Sequence, residues 1–181
     1  MEPQQFTATG VLLAAGAGTR YGKPKVLAGG GSWLRAGVTA LHEGGCGDVV
    51  VVLGAAVVEV PPPARGIVAG DWADGLSASV RAGLAAIPET AQYAVLTTVD
   101  TPDIGAAVVR RVLAAAQTTG LARAVYGDRP GHPVVFGREH WPALLDDLRG
   151  DQGAGPFLRA RDDVVLVECA DLATGRDIDL S

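Results

Sequence analysis

The chain has 181 residues, of which 48% are hydrophobic and 19% charged, with a net charge of −5. That length and apolar fraction predict a single domain over residues 1–181 with a sizeable core rather than a disordered chain, and the acidic balance argues against a protein that coats nucleic acid. No apolar span of about 18 residues and no basic leader are present, and Cys46 and Cys169 stand far apart without a CxxC pair, so no membrane span, signal peptide, zinc site or disulfide framework is expected, consistent with a cytoplasmic location.

Val11–Ala15 is an apolar run of the length of a buried parallel strand. Gly16, Gly18 and Gly22 follow, together with Arg20, Lys23 and Lys25. These are the only two lysines in the chain, and residues 3–42 contain no Asp or Glu. The first 42 residues sum to +3 and the remaining 139 to −8. A positive field at one point of an acidic chain indicates an anionic ligand there. Bare glycine amides beside cations make a phosphate cradle. As a loop lysine, Lys25 is expected to be exposed when no ligand is bound. Two familiar phosphate loops are not met: Pro24 follows Lys23 where GxxxxGK[ST] needs a hydroxyl, and Tyr21 stands where GxGxxG needs its third glycine.

Farther along, Ser32 is placed to cap a helix over 33–41, with Leu34, Val38 and Leu41 on one face. Asp48–Leu53 and Gly66–Ala69 read as strands, separated by the breaker Pro61-Pro62-Pro63. Asp71–Ile87 is a loop entering a helix capped by Asp74 or Ser77, with Val80, Leu84 and Ile87 as its apolar stripe. Gln92–Val99 is a strand with Asp100 just past its carboxyl end. Thr101-Pro102 opens a helix to about Thr119. Leu121–Tyr126 is a strand, 127–131 a turn, and His132–Phe136 an extended piece. Helices are expected over 138–148 and 153–159, and a last strand over 164–168. Strands and helices alternate throughout. This predicts an α/β fold in three layers, a mostly parallel sheet covered on both faces, with ligands beyond the carboxyl ends of its strands.

Leu13–Lys25, LAAGAGTRYGKPK, resembles the LAAGxSxRxGxxK signature of the MobA/MocA-like nucleotidyltransferases, departing from it only at Gly18, where the signature has Ser. The similarity extends over residues 8–180. It implies the Rossmann-like fold of nucleotide-diphospho-sugar transferases. It also implies transfer of a nucleotide from an NTP to a phosphorylated acceptor such as molybdenum cofactor, with Mg²⁺ as cofactor and a molybdoenzyme or its chaperone as partner. On this resemblance Leu13, Ala14, Ala15, Gly16, Ala17, Gly18, Thr19, Arg20 and Lys25 bind the nucleotide, and Arg20, Lys25 and Asp100 are catalytic. Val99–Ile104, VDTPDI, is similar to the family's DxP motif, and Arg176–Leu180, RDIDL, to its DIDTP motif. Asp100 and Asp179 are then the metal ligands in preference to Asp177; without the resemblance, Asp100 reads as a helix-end acid and the tail acids as solvated. The stretch from Asp71 to Arg81 is similar to WxxGxxSSLRAG, which borders the base and brings in Ser77 and Ser79; these two otherwise read as helix caps. Gly131–Val134, GHPV, and the Gly150–Gly155 stretch resemble acceptor-side motifs, placing His132 and Asp151 there. Three departures stand out: Thr101 replaces Gln or Met, Gly155 replaces an Arg, and the chain stops at Ser181 where the family continues into a short helix.

LAAG and GHPV are similar to the cytidine-using branch, which makes CTP the favoured substrate. A methyl at Ala15 also narrows the loop against a purine. The expected chemistry is attack by an acceptor phosphate on the α-phosphorus with release of pyrophosphate. An ionised phosphate needs no general base, so catalysis rests on positioning and charge stabilisation. Two other classes are carried. One is NAD(P)H-dependent oxidoreduction, since relatives with similar GHPV and LATGRDID stretches are labelled nicotine blue oxidoreductase, although no GxGxxG fingerprint is present. The other is nucleotide binding without catalysis on the same fold.

Overall fold

The structure is a computed structural model and describes residues 7–179. Its elements in chain order are β1 (Ala8–Ala14), α1 (Ser32–Glu43), β2 (Asp48–Leu53), β3 (Arg65–Val68), α2 (Leu76–Ala85), β4 (Tyr93–Thr98), α3 (Ala106–Ala115), β5 (Leu121–Tyr126), β6 (Arg129–Gly137), α4 (Trp141–Asp147), α5 (Gly155–Arg159) and β7 (Val165–Glu168). The seven strands form one sheet in the order β3-β2-β1-β4-β6-β5-β7. Only β6 runs against its neighbours, antiparallel to both β4 and β5. The α/β architecture expected from the alternating pattern is thus present, with the piece over 132–136 extended into a full reversed strand.

Period-2 alternation divides the apolar strand residues between two layers. Leu12, Ala14, Val49, Val51 and Val95 face α1 and α3. Val11, Leu13, Val50, Val52, Ala94 and Leu96 face α2, α4 and α5. Both sides of the central strands are therefore buried, which is why β1 and β2 read as unbroken apolar runs. Gly83 lets α2 lie directly on β1, since a methyl there would stand 2.5 Å from Val11.

The chain leaves β1 toward β2 and β3 on one side, then returns to place β4 on β1's other side. The crevice between the carboxyl ends of β1 and β4 is therefore a topological switch point, where doubly wound sheets bind ligands. The loop after β1 and the Asp100 turn after β4 open into it.

Several local expectations are corrected. Ser32 is the first residue of α1 rather than its cap; Gly31 takes that position, in a left-handed conformation. Neither Asp74 nor Ser77 caps α2. The backbone N–H of Leu76 instead donates to Asp151 Oδ1 at 3.0 Å, a cap supplied from 75 residues away. Thr101-Pro102 does not open α3, which begins at Ala106. Thr101 Oγ1 donates to the Thr98 carbonyl at 2.9 Å, and the Ile104 N–H returns to the Thr101 carbonyl, closing a tight turn before the helix. The helix expected over 138–148 is split into a 3-10 turn at Arg138–His140 and α4.

Candidate active site

A cleft of about 500 Å³ opens at the switch point. The loop from Leu13 to Tyr21 forms one wall, and Lys25, Thr98, Val99, Asp100 and Asp179 form the floor. Trp72, Ala73, Gly75, Leu76, Ser79 and Asp151 face them. All the residues expected at the nucleotide from Leu13 to Arg20, with Lys25 and Ser79, are in its lining. Sequence reasoning did not single out Tyr21, Thr98, Val99 or Leu76. They carry no charge, and they reach the cleft from the loop after β1, the end of β4 and the start of α2.

The loop keeps its shape through a turn in which the Gly22 N–H donates to the Gly18 carbonyl at 2.8 Å. Gly18 has φ +66°, and any Cβ there would collide with the Lys23 carbonyl. The glycine at the position where the signature has Ser is thus required by this loop's backbone. A side chain would push Lys23–Lys25 away from the cleft.

Lys25 corrects an expectation: it is not exposed. Its Nζ donates to Asp100 Oδ2 at 2.8 Å and to Asp179 Oδ1 at 3.0 Å. The side chains are 16%, 19% and 53% exposed respectively. Burial works to lower the Lys25 pKa, but the two carboxylate bonds outweigh it and raise the pKa above the usual lysine value. The same ammonium holds the Asp179 carboxyl below the ordinary range. Asp177, nearby, is shifted the other way, by burial and by the charges of Asp100 and Asp179.

Asp179 is held in place by the backbone. The Ile178 N–H donates to the Asp100 carbonyl at 2.9 Å, and Asp103 Oδ2 accepts from the Thr174 N–H and hydroxyl at 2.7 and 2.6 Å. These bonds tie the segment after β7 to the turn after β4, so acids 79 residues apart in sequence share one cation.

The donor set fits a hard divalent cation. Asp100 Oδ1 is buried with no hydrogen-bond partner among the described residues, and Oδ2 and Asp179 Oδ1 converge on a single positive charge. Among the described residues no three His, Cys, Asp or Glu side chains close on one point. Two carboxylates are the share a protein supplies to Mg²⁺ when phosphates and water complete the shell.

The remaining expected residues fall outside or at the rim. Ser77, placed at the nucleotide by its motif, is buried and its Oγ accepts from the Gly153 N–H at 3.2 Å; it does not line the cleft. Asp151 reaches the cleft and caps α2. His132 is half-buried in β6, and burial together with the Arg123 guanidinium pulls its pKa down to about 4, so it is neutral near pH 7.

With this geometry in place, the comparisons with known proteins are decisive on family. The model of the MobA-like NTP transferase domain matches residues 10–164. The chain belongs to that family. Membership makes it a nucleotidyltransferase by family. It is 36% identical to the nicotine blue oxidoreductase of Paenarthrobacter nicotinovorans, over 94% of this chain and 91% of that protein. The crystal structure of Rv0371c from Mycobacterium tuberculosis H37Rv superposes with a TM-score of 0.81 at 27% identity, covering 98% of this chain and 95% of that one. A manganese complex of Rv0371c gives a TM-score of 0.71 at 26% identity, covering 90% and 88%. No helix among the described residues is long and apolar enough to cross a membrane.

Proposed function

We propose that this chain transfers a nucleotide, with CTP favoured, from an NTP to a phosphorylated small-molecule acceptor, with Asp100 and Asp179 holding Mg²⁺. The observation that carries the reading is the Lys25 ammonium gripped between Asp100 and Asp179 at the foot of the glycine loop. A lysine so placed is ready to pass to a triphosphate, leaving both carboxylates to a divalent cation. That cation, when bound, neutralises charge developing on the phosphates and fixes their orientation. The backbone amides from Gly16 to Thr19 and the Arg20 guanidinium bind the phosphates. The Asp100 turn and the tethered Asp179 hold the cation site rigid. Trp72 and Ser79 border the base. The manganese complex of Rv0371c supports a divalent ion in this fold. The single-domain organisation, a cytoplasmic location and a molybdenum-cofactor acceptor belong to the same proposal.

A second reading has one observation behind it, the 36% identity to nicotine blue oxidoreductase. A reduced nicotinamide dinucleotide also carries a diphosphate that suits the glycine loop. Calorimetry of the purified chain with the four NTPs and with NAD(P)H, each with and without Mg²⁺, separates the two. Mg²⁺-dependent binding with CTP ahead of GTP, ATP and UTP supports transfer. Mg²⁺-independent binding of NAD(P)H alone refutes it.

A further inference from the structure

Outside the glycine loop, the described residues hold a second concentration of positive charge that no carboxylate balances. Three arginines are paired with acids: Arg65 with Asp48, Arg111 with Asp171 and Arg161 with Asp163 each make two hydrogen bonds to the carboxylate. Arg123, in the middle of β5, does not. Its Nη2 donates only a long bond, 3.4 Å, to the Gly131 carbonyl, and its Nε is buried without a partner. Burial, with the Arg159 guanidinium nearby, lowers its pKa, and no acidic group opposes that. A guanidinium left in this state destabilises the fold unless an anion joins it.

Arg159 supplies the second charge. It lies on α5, one turn beyond Gly155, so the two share a helix face. Its Nη1 is 3.0 Å from the point where a Cβ on Gly155 would stand. Gly155 is the position at which the resembling motif carries Arg. The guanidinium of Arg159 folds back over that glycine and presents positive charge from the next turn.

Strand register aligns Arg123 across β6 with the part of β4 that leads into the cleft. Val134 pairs with both Arg123 and Leu96. Two residues past Leu96 is Thr98, a cleft-lining residue whose Oγ1 is buried without a partner among the described residues. Between Val134 and Pro130, three residues of β6 oppose the single Ala124 of β5. This bulge lifts Gly131–Pro133 off the ladder, a device that re-aims side chains beside functional sites. The bulge carries His132, whose ring feels both the Arg123 guanidinium and the Asp100 carboxylate. Arg123 and the Asp100 carboxylate therefore both lie near His132, and Arg159 lies near Arg123.

We propose that Arg123, Arg159 and Thr98 Oγ1 form a second anion subsite that takes the phosphoryl group of the acceptor, separate from the triphosphate cradle. The proposal rests on the nucleotidyl-transfer reading. Guanidinium forks match phosphate oxygens in pairs. A phosphate held there offers one oxygen to the α-phosphorus. That P–O bond forms as the bond from the α-phosphorus to the bridging oxygen breaks, and pyrophosphate leaves with the electron pair. The attacking oxygen is already ionised, so no proton moves.

The test titrates inorganic phosphate by calorimetry into the full chain, alone and after saturation with Mg²⁺ and α,β-methylene CTP. The expected result is phosphate binding with the nucleotide analogue in place. Arg123→Met and Arg159→Gln should each weaken it by about tenfold or more, with affinity for the analogue unchanged within about twofold. Without phosphate, Arg123→Met should melt higher than the parent, because it removes an unbalanced buried charge; phosphate should raise the melting temperature of the parent but not of the variant. Displacement of phosphate by the analogue assigns the subsite to the triphosphate and overturns the proposal. So does unchanged phosphate affinity in both variants, or an Arg123→Met protein that melts lower than the parent without phosphate. If the analogue does not bind at all, the transfer reading fails, while phosphate binding that still depends on Arg123 upholds the subsite.

Discussion

Lys25→Met removes the ammonium and keeps an apolar stem of similar reach, and its consequences separate three roles. The first is structural. The Lys25–Asp100 pair is more than four-fifths buried on both sides, between an exposed pair, worth about 0–1 kcal/mol, and a fully buried one, whose breaking costs about 3–5 kcal/mol. About 2 kcal/mol is expected, and the half-exposed Asp179 adds at most about 0.5 kcal/mol. For a chain of this length that lowers the melting temperature by roughly 4–8 °C. The second role is phosphate binding. Loss of one charge-assisted contact costs about 1.5–3 kcal/mol, a roughly tenfold to 150-fold weaker NTP affinity. The third is competition with the metal. Without nucleotide, Mn²⁺ should bind Lys25→Met more tightly than the parent, because no ammonium stands between the carboxylates. Differential scanning calorimetry, NTP calorimetry and Mn²⁺ electron paramagnetic resonance read the three. Adding Asp100→Asn should recover much of the stability, since both partners are then neutral, but not the NTP affinity. Unchanged melting with unchanged NTP affinity, or weaker Mn²⁺ binding, refutes the exchange of Lys25 from carboxylates to phosphate.

Asp100→Asn should lower Mg²⁺-dependent transfer by roughly tenfold or more in a pyrophosphate-release assay; transfer at the parental rate reduces Asp100 to a turn residue. Gly18→Ala should weaken NTP binding at least as much as Lys25→Met, because a Cβ at φ +66° meets the Lys23 carbonyl; a parental affinity shows that the loop adapts. His132 has a folded pKa of about 4 against 6.5 for an unperturbed ring, so the unfolded chain takes up the proton first. Stability should therefore fall as pH drops from 6.5 toward 4, by up to about 3 kcal/mol. Urea titrations of His132→Gln should show a flatter acid limb, and a slope identical to the parent's refutes the assignment.

The parts of this molecule legible in sequence are those fixed by local pattern. β2 and β5 fall where their apolar runs begin and end, and the cradle was marked by glycines and by the only two lysines. What escaped depends on contacts between distant segments. Ser77 looks like a cap or a nucleotide ligand, but its hydroxyl is taken by Gly153, and the actual cap of α2 is Asp151. Lys25 looks like an exposed loop residue because nothing in its own segment is acidic; its partners arrive from β4 and from the segment after β7. Thr101-Pro102 has the composition of a helix start, yet Thr101 turns back to Thr98 and delays α3 to Ala106. The absence of an Arg at Gly155 reads as a loss until α5 is seen to bring Arg159 over the same spot.

On the reading proposed above, the cleft between β1 and β4 binds a nucleoside triphosphate together with a divalent cation on Asp100 and Asp179. The most direct measurement is calorimetric titration of the purified chain with CTP at zero and saturating Mg²⁺, repeated for the Asp100→Asn, Asp179→Asn double variant. Mg²⁺ should tighten CTP binding to the parent and have little effect on the variant. Equal enhancement by Mg²⁺ in both proteins, or CTP binding that ignores Mg²⁺ altogether, contradicts it.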